Sequence, residues 1–442
     1  MIFKRKLYQK MLLWKNGRKG STALLIKGAR RVGKSTLVEE FAKNEYKSYI
    51  LIDFSDKSRK INSLFEDMHD LDFFFLSLQN VTGVSLVQRE SVIVFDEVQF
   101  NPRARQAIKH LVKDGRYDYI ETGSLISIRK NVQDILIPSE EESLTLHPMD
   151  LDEFYWATGK EVVAEQLKQA FEMKRPMGDA VHRKWMRELR LYMLVGGMPQ
   201  AVDAYLKYND LREVDDVKRN ILNLYDNDFI KIDGSGRASK IFSAIPSQLN
   251  NNASRYQIGS VIENQTAERL AETVFDIQDS KAAVMAYHVT DPNVGMGMFK
   301  DYTRYKMFMA DTGLFVTLAF KNKLYTDNII YQKLLSDKLE ANLGYVYENL
   351  VAQMLHTAGH DLFYYTFPAE HNHNYELDFL LEKNGKMVPI EVKSSGYKSH
   401  KSLDAFCKKY SQRIGNRILL YTKDYQKNQQ TECLPIYFAG ML

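Results

Sequence analysis

The sequence feature that most constrains the fold is a glycine-rich segment near the N-terminus. Residues 28–35 read GARRVGKS and match the pattern G-x-x-x-x-G-K-[ST]. The segment follows the apolar run Ala23–Ile26 and precedes an amphipathic helical pattern at Ser35–Ala42, which is the strand–loop–helix setting that the motif requires. The backbone N–H groups of such a loop surround phosphate groups, and the following helix adds the positive end of its dipole.

The motif predicts a site for a nucleoside triphosphate with Mg²⁺, and ATP is the expected nucleotide. Lys34 is expected to reach the β- and γ-phosphates, and the Ser35 hydroxyl is expected to ligate Mg²⁺. The alternative is a glycine-rich turn that binds no ligand. The nucleotide-binding residues predicted from the motif are Gly28, Ala29, Arg30, Arg31, Val32, Gly33, Lys34, Ser35 and Thr36.

A second motif, VIVFDE at residues 92–97, reads as a buried strand that ends in two acids. Ligands of open α/β sheets bind at the carboxyl ends of the strands, so both acids are expected at the nucleotide. Asp96 is predicted to hold Mg²⁺ through water, and Glu97 is predicted to act as general base toward the attacking water. The alternative is a strand end with two solvated acids.

The next strand ends in the sequence ETGS at residues 121–124. Thr122 and Ser124 are predicted to lie beside the γ-phosphate, although a simple glycine turn would have the same sequence. Arg103 and Arg129 are candidate arginine fingers toward a neighbouring subunit, and solvated surface arginines are the alternative.

The distribution of apolar runs predicts three domains with an α/β fold at each end. The chain has 442 residues, too many for one compact core. We predict a parallel-sheet domain over residues 1–150, a mostly helical lid with a winged-helix-like unit over 151–330, and an α/β domain over 331–442. The strands predicted for the first domain are Ala23–Ile26, Tyr49–Phe54, Ser91–Phe95 and Tyr117–Ile120.

Composition adds few further limits. The net charge of +4 permits a nucleic-acid partner but does not argue for one. The two cysteines, Cys407 and Cys433, form no zinc-binding spacing. The longest apolar stretch, Leu71–Leu78, is too short to span a bilayer and reads as a buried helix face, so we expect a soluble cytoplasmic protein.

The C-terminal region contains a predicted β-hairpin with charged residues on one face. Asn384-Gly385 between apolar alternations is a strong signal for a two-residue turn. If the turn closes there, Asp378 lies opposite Glu391, and Lys393 shares their face. This is the D…ExK arrangement of PD-(D/E)xK nucleases, in which two carboxylates hold a divalent metal and the lysine orients or activates water.

The alternative is a solvent-facing hairpin without a metal site, in which Glu376 and Lys393 form an ordinary ion pair. Two opposed acids repel each other unless a cation lies between them, which favours a second metal, Mg²⁺ or Mn²⁺. His371 and His373 precede the hairpin, but loop histidines usually bind no metal.

The sequence resembles AAA+-type ATPases (AAA_14) that carry a C-terminal DUF4143 region. The resemblance covers essentially the whole chain; its motifs are GARRVGKSTL at 28–37, VFDEVQ at 94–99, ETGSL at 121–125, LHPMDLDEF at 146–154, LVGGMPQAV at 194–202 and KMFMADTGLF at 306–315. The resemblance implies an ATPase core, a winged-helix-like middle and a restriction-endonuclease-like end. It also implies Glu348 as a third carboxylate of the C-terminal site.

Two functions from different classes remain open on the sequence. In the first, ATP hydrolysis governs a C-terminal nuclease-like domain that acts on DNA or RNA. In the second, the chain is an ATP-dependent switch or scaffold whose C-terminal domain binds nucleic acid or protein without cleaving it. A homo-oligomer or a protein partner is compatible with both. In the middle domain a DNA-recognition helix is a weaker hypothesis than solvated basic residues at Arg237, Lys240, Arg255 and Arg269.

Overall fold

The computed structural model describes residues 1–56, 59–66, 68–123, 139–251, 253–325, 328–335, 343–369, 373–395, 397, 399–428 and 430–442. The chain forms two compact units, residues 1–147 and residues 148–442. Each unit is described by itself below.

The N-terminal unit is built on a five-stranded sheet in the order β2-β3-β4-β1-β5, and every pairing is parallel. The strands are β1 (Ala23–Lys27), β2 (Ser48–Asp53), β3 (Ser91–Asp96), β4 (Asp118–Gly123) and β5 (Glu141–Thr145). The first four correspond to the four predicted runs. The apolar side chains of β1, β3 and β4 are buried on both faces of the sheet, which explains their unbroken apolar sequence. The edge strand β2 is only partly buried.

Among the described residues, five helices accompany this sheet: α1 (Leu7–Arg18), α2 (Lys34–Glu45), α3 (Arg59–Leu64), α4 (Leu71–Thr82) and α5 (Pro102–Asp114). The apolar stretch at 71–78 lies in α4, where Phe74, Phe75 and Leu78 join a core that also includes Phe95 of β3. The predicted buried helix face is therefore present.

The C-terminal unit contains an eight-stranded mixed sheet in the order β12-β13-β11-β10-β9-β8-β6-β7. The strands are β6 (Ala283–Val289), β7 (Lys300–Met309), β8 (Leu362–Pro368), β9 (Asn374–Lys383), β10 (Lys386–Lys393), β11 (Arg417–Tyr421), β12 (Gln426–Asn428) and β13 (Thr431–Pro435). This sheet crosses the boundary that we predicted near residue 330, because β6 and β7 precede it. Within the region predicted to be mostly helical, the helices are therefore interrupted by β6 and β7 after residue 279.

In the C-terminal unit, one group of helices precedes β6, and others connect the strands of the sheet and pack against it. Before β6 they are Leu151–Ala157, Glu161–Met173, Asp179–Val195, Pro199–Tyr208, Leu211–Ile232, Arg237–Ser243, Ile245–Asn250, Ile258–Val261 and Ala271–Asp279. After β7 they are Thr312–Leu318, Ile329–Leu335, Gly344–Thr357 and Lys401–Lys409. The described part of the chain also has short 3₁₀ turns at Val98–Phe100, Met296–Phe299, Ser411–Arg413 and Ile436–Met441.

The glycine-rich sequence VGGMP at 195–199 separates two helices, and its Gly196 packs against Gly313. A Cβ added to Gly313 would lie 2.5 Å from the Gly196 Cα, so neither backbone has room for a larger residue. The buried Asp311 carboxylate accepts hydrogen bonds from the N–H groups of Gly197 (2.6 Å) and Leu314 (2.8 Å). This contact also caps the helix that begins at Thr312.

A fully buried lysine lies close to this contact. Lys218 donates hydrogen bonds to the carbonyl oxygens of Leu194 (2.5 Å) and Gly313 (3.1 Å) and to the Tyr331 hydroxyl (2.5 Å). Burial lowers the pKa of Lys218 to about 8, although Asp215 opposes the shift. The ammonium thus joins three helices to the helix that carries Lys218 through buried polar contacts.

Candidate functional site

The loop after β1 has the backbone shape of a phosphate-binding loop. Gly33 has φ +93° and directly precedes the first residue of α2. Arg31 also lies in the left-handed region, with φ +68°. At the start of the loop, a Cβ on Gly28 would lie 2.4 Å from the carbonyl oxygen of Leu146. The two glycines of the motif therefore occupy positions where side chains are strained or excluded.

Lys34 is held within the loop by the backbone. Its ammonium donates to the carbonyl oxygens of Gly28 and Ala29, both at 3.1 Å, and the side chain is buried. Burial lowers the pKa of Lys34, against the opposing charges of Glu97 and Asp96. The lysine is the basic residue expected beside the nucleotide phosphates.

Three oxygen-bearing side chains from three elements meet at the carboxyl ends of the strands. The Ser35 hydroxyl of α2 donates to Asp96 Oδ1 at 2.9 Å, and the Thr122 hydroxyl of β4 donates to the same oxygen. Asp96 and Thr122 are both buried, and Thr122 is completely inaccessible. Oxygen ligands of this kind suit Mg²⁺. We call Ser35, Asp96 and Thr122 the hydroxyl–carboxylate chain.

Glu97 follows Asp96 in a strained conformation. Its φ of +53° is unusual for a residue with a side chain and turns the chain out of β3. Its N–H donates to Thr122 Oγ1 at 3.2 Å, and its carboxylate accepts a hydrogen bond from the Gln99 side chain. Thr122 therefore touches both acids of the second motif.

The remaining predicted residues of this site fall into two groups. Ala29 and Val32 are buried parts of the loop, whereas Arg30, Arg31 and Thr36 are exposed. Arg103 is exposed and lies 3.9 Å from Glu66. Ser124 and Arg129 lie outside the described residues.

Arg5 is a supporting residue that sequence reasoning missed. Its guanidinium is buried and donates to the carbonyl oxygens of Val32 (3.0 Å) and His147 (2.5 Å). It thereby fixes the loop from outside the motif. The only sequence signal was the basic N-terminus, which gave no indication of its partner.

The C-terminal hairpin has the predicted turn and register. Asn384 and Gly385 have φ +53° and +68°, as a type I′ turn requires. Lys383 pairs with Lys386, and the same register continues up to the pair Phe379 and Ile390. The hairpin was predictable because its turn chemistry and side-chain alternation agree.

Beyond that pair the strands diverge. β10 continues beside β11, whereas β9 continues beside β8. Asp378 Oδ2 instead accepts a hydrogen bond from the N–H of Val392 at 2.7 Å. The Lys393 ammonium lies 2.8 Å from the Glu391 carboxylate. The three side chains predicted for this site, Asp378, Glu391 and Lys393, are therefore close together where β9 and β10 separate. The alternative pairing of Lys393 with Glu376 was wrong, because the divergence carries Glu376 toward β8.

A lysine that we did not predict completes this cluster. Lys306 of β7 is buried, and its ammonium lies 2.8 Å from Glu348 and 2.6 Å from Glu376. Burial and the charge of Glu348 raise the pKa of Asp378, and Lys306 opposes the shift. We call these four residues the Lys306 cluster. Within the part of the chain that the structure describes, no group of three or more His, Cys, Asp or Glu residues has a metal-binding arrangement.

The basic residues proposed for a recognition helix do not share one helix. Arg237 and Lys240 lie on the helix Arg237–Ser243, but Arg255 and Arg269 lie in the irregular segments that follow. Arg237 also pairs with Asp233 at 3.4 Å. These four residues therefore do not line a single recognition helix, and DNA binding by them stays a prediction.

Of the two histidines before the hairpin, the structure describes His373. His373 is exposed, and its carbonyl oxygen accepts a hydrogen bond from Ala369. His371 lies outside the described residues.

The parallel sheet, the loop and the hydroxyl–carboxylate chain define the N-terminal unit as a P-loop NTPase-type domain. The comparison with family models agrees, because residues 20–155 match the AAA_14 family, described as an AAA domain. Residues 343–439 match a domain of unknown function, DUF4143, as the resemblance predicted. Residues 186–324 match another, DUF8612, which we did not predict.

Solved structures of low similarity include the Orc1 protein of Aeropyrum pernix in complex with DNA, at 11% identity and a TM-score of 0.29, over 76% of this chain and 93% of that one. AMPPCP-bound DnaA of Aquifex aeolicus has 11% identity and a TM-score of 0.28, over 63% and 90%. The T158V variant of Thermotoga maritima RuvB has 13% identity and a TM-score of 0.29, over 64% and 90%.

No curated protein matches this sequence. Among the described residues, no helix combines the length and the apolar character needed to cross a membrane.

Proposed function

We propose that the N-terminal unit binds ATP with Mg²⁺ and hydrolyses it. The observation that carries this proposal is the meeting of Ser35, Asp96 and Thr122 at the start of α2, beside a loop that holds Lys34. Each residue type matches a need of phosphoryl transfer, namely a cation for the phosphates and oxygen ligands for the metal. The match of residues 20–155 to an AAA domain supports the same proposal.

The phosphates would be bound by the loop N–H groups, the N-terminus of α2 and the Lys34 ammonium. Ser35 and Asp96 would hold Mg²⁺, since their oxygens already lie 2.9 Å apart. When bound, Mg²⁺ neutralises charge on the phosphate oxygens. Thr122 would orient Asp96 and the backbone of Glu97, because it contacts both.

Glu97 would accept the proton of the attacking water. Its carboxylate lies at the carboxyl edge of the sheet, next to Asp96, and Gln99 holds it by a hydrogen bond. The left-handed backbone at Glu97 separates its side chain from that of Asp96, so the two acids can serve different roles.

Two substitutions test this proposal. Lys34→Ala is expected to abolish ATP binding, whereas Glu97→Gln should retain binding and lose about 10²- to 10⁴-fold in turnover, the usual contribution of a general base. Binding is measured with a fluorescent ATP analogue and turnover by phosphate release. Lys43→Ala, which changes an exposed lysine on the same helix, is the matched control. Normal turnover in Lys34→Ala would refute the assignment of the loop.

The C-terminal unit is the second part of the proposal. The sequence left two functions open, a nuclease-like domain acting on nucleic acid and a domain that binds nucleic acid or protein without cleaving. The Lys306 cluster favours the second, because the partly buried carboxylates Glu348 and Glu376 already share an ammonium. ATP turnover would then switch partner binding by this unit.

A cleavage assay separates the two functions. The purified protein is incubated with linear and supercoiled DNA and with single-stranded RNA, with Mg²⁺ or Mn²⁺, in the presence and absence of ATP. We expect no cleavage. Cleavage that is lost in Lys393→Ala would instead establish the nuclease-like function, and its dependence on ATP would show that the N-terminal unit governs it.

Assembly into a homo-oligomer stays a prediction. The resemblance to AAA+-type ATPases motivates it, and Arg103 is the one described candidate for an arginine finger. Sedimentation of the protein with and without ATP tests it directly. A monomer under both conditions would contradict it.

A further inference from the structure

The Lys306 cluster places a positive charge at the point where carboxylates from separate elements converge. Lys306 comes from β7, Glu348 from the helix Gly344–Thr357, and Glu376 and Asp378 from β9. The ammonium is only 5% exposed and contacts two of the three carboxylates directly. Converging carboxylates of this kind are the usual ligands of Mg²⁺ and Mn²⁺ in proteins.

The neighbouring acid is also compensated by a lysine. Glu391 is buried, and its carboxylate contacts Lys393 at 2.8 Å. Two lysines, Lys306 and Lys393, thus accompany four carboxylates on β9, β10 and the helix Gly344–Thr357. Carboxylates buried without a cation would repel one another and would hold protons instead of charge, so the ammonium groups are the reason that this arrangement can exist.

Lys306 is fixed at its place by the sheet. It pairs with Ala286 in the antiparallel ladder between β6 and β7. The adjacent residues Met307, Phe308 and Met309 are buried. Burial would lower the pKa of Lys306, but Glu348 and Glu376 outweigh it and the pKa is raised. The lysine is therefore charged, and it is held in β7, the edge strand of the sheet, between buried neighbours.

We propose that Lys306 is the permanent counter-ion of this cluster and occupies the position that a divalent cation would otherwise take. The native cluster therefore binds neither Mg²⁺ nor Mn²⁺. Removing the ammonium leaves Glu348, Glu376 and Asp378 as an oxygen-ligand site for one such cation. This inference rests on the proposed non-cleaving function of the C-terminal unit. It attributes the lack of cleavage to Lys306, which takes the place of a catalytic metal ion.

The test measures Mn²⁺ binding to the full chain without nucleotide. The Asp96→Asn variant serves as the background, because it removes the metal ligand of the N-terminal site. Free Mn²⁺ is followed by electron paramagnetic resonance during a titration. We expect no tight Mn²⁺ site in this background and one added site per chain when Lys306→Ala is introduced. Adding Asp378→Asn should remove the new site, and Lys300→Ala, on the same strand, should create none.

Two results would overturn the inference. The first is Mn²⁺ binding by the background protein that Asp378→Asn abolishes, since the native cluster would then be a metal site. The second is a folded Lys306→Ala protein that binds no additional Mn²⁺. Lys306→Met, which keeps the length of the side chain, replaces Lys306→Ala if circular dichroism shows that the alanine variant is unfolded.

Metal binding and nucleic-acid cleavage are separate readouts. A native Mn²⁺ site without cleavage would refute this inference and leave the proposed function intact. Cleavage that depends on Lys393 would refute the proposed function whatever the Mn²⁺ titration shows.

Discussion

Replacing Thr122 by valine probes the hydroxyl–carboxylate chain with almost no change of side-chain shape. The substitution removes the hydroxyl that donates to Asp96 and leaves the N–H of Glu97 without its acceptor at 3.2 Å. A hydrogen bond to a charged group contributes about 1.5–3 kcal/mol when it is buried, and Thr122 is fully buried.

If this contact is needed in the transition state, the same free energy corresponds to a loss of about 10- to 150-fold in kcat. The KM for ATP should change by less than about threefold, because Lys34 and the loop glycines keep their contacts. This split separates Thr122 from a residue that only binds nucleotide.

The assay is steady-state phosphate release as a function of ATP concentration. Thr82→Val is the matched control, since the Thr82 hydroxyl bonds only to the Leu78 carbonyl of its own helix. A valine variant with wild-type kcat would refute the reasoning, as would a raised KM with unchanged kcat.

Two further substitutions test features outside the reacting groups. Gly28→Ala places a methyl group 2.4 Å from the Leu146 carbonyl oxygen and should lower the free energy of unfolding by about 1–3 kcal/mol, measured by thermal or urea unfolding. Gly17→Ala, which has open space around the added methyl group, should be neutral or stabilising. Equal stability of the two variants would contradict the close packing at Gly28. Lys218 has its pKa lowered to about 8 from 10.5, so the unfolded chain binds this proton more tightly. Its contribution to the free energy of unfolding should therefore rise by up to about 3 kcal/mol between pH 8 and 10.5. Urea unfolding across this range should show a smaller rise in Lys218→Met, and identical slopes in the two proteins would refute the shift.

The N-terminal unit was largely predictable because its signals are local. The strands β1 to β4 are unbroken apolar runs, and the loop motif fixes the order strand, loop and helix within 20 residues. The acids at 96 and 97 follow directly from the end of β3. Arg5 was not predictable, since its partners are carbonyl oxygens 27 and 142 residues away, and a carbonyl has no sequence signature.

In the C-terminal unit, the register of strand pairing was predictable only within the hairpin. Turn residues and alternation specified its register, but where the two strands separate depends on β8 and β11, which no local pattern encodes. The strands β6 and β7 lie in a region that was predicted to be helical, although Asp291, Pro292 and Gly295 between them are turn residues. Lys306 was consequently overlooked, since its carboxylate partners are 42 and 70 residues further along the chain.

The parallel pairing of β6 with β8 determines what part of the chain can fold independently. His288 pairs with Tyr364 across this junction, and β8 has β6 on one side and β9 on the other. A fragment that begins at residue 343 would expose the edge of β8 as unpaired backbone and would leave Glu348 and Glu376 without their ammonium. Such a fragment would self-associate through that open edge, whereas one that begins before β6 would retain a covered sheet. The C-terminal family region is thus a part of a folding unit whose other strands are contributed by the residues before it.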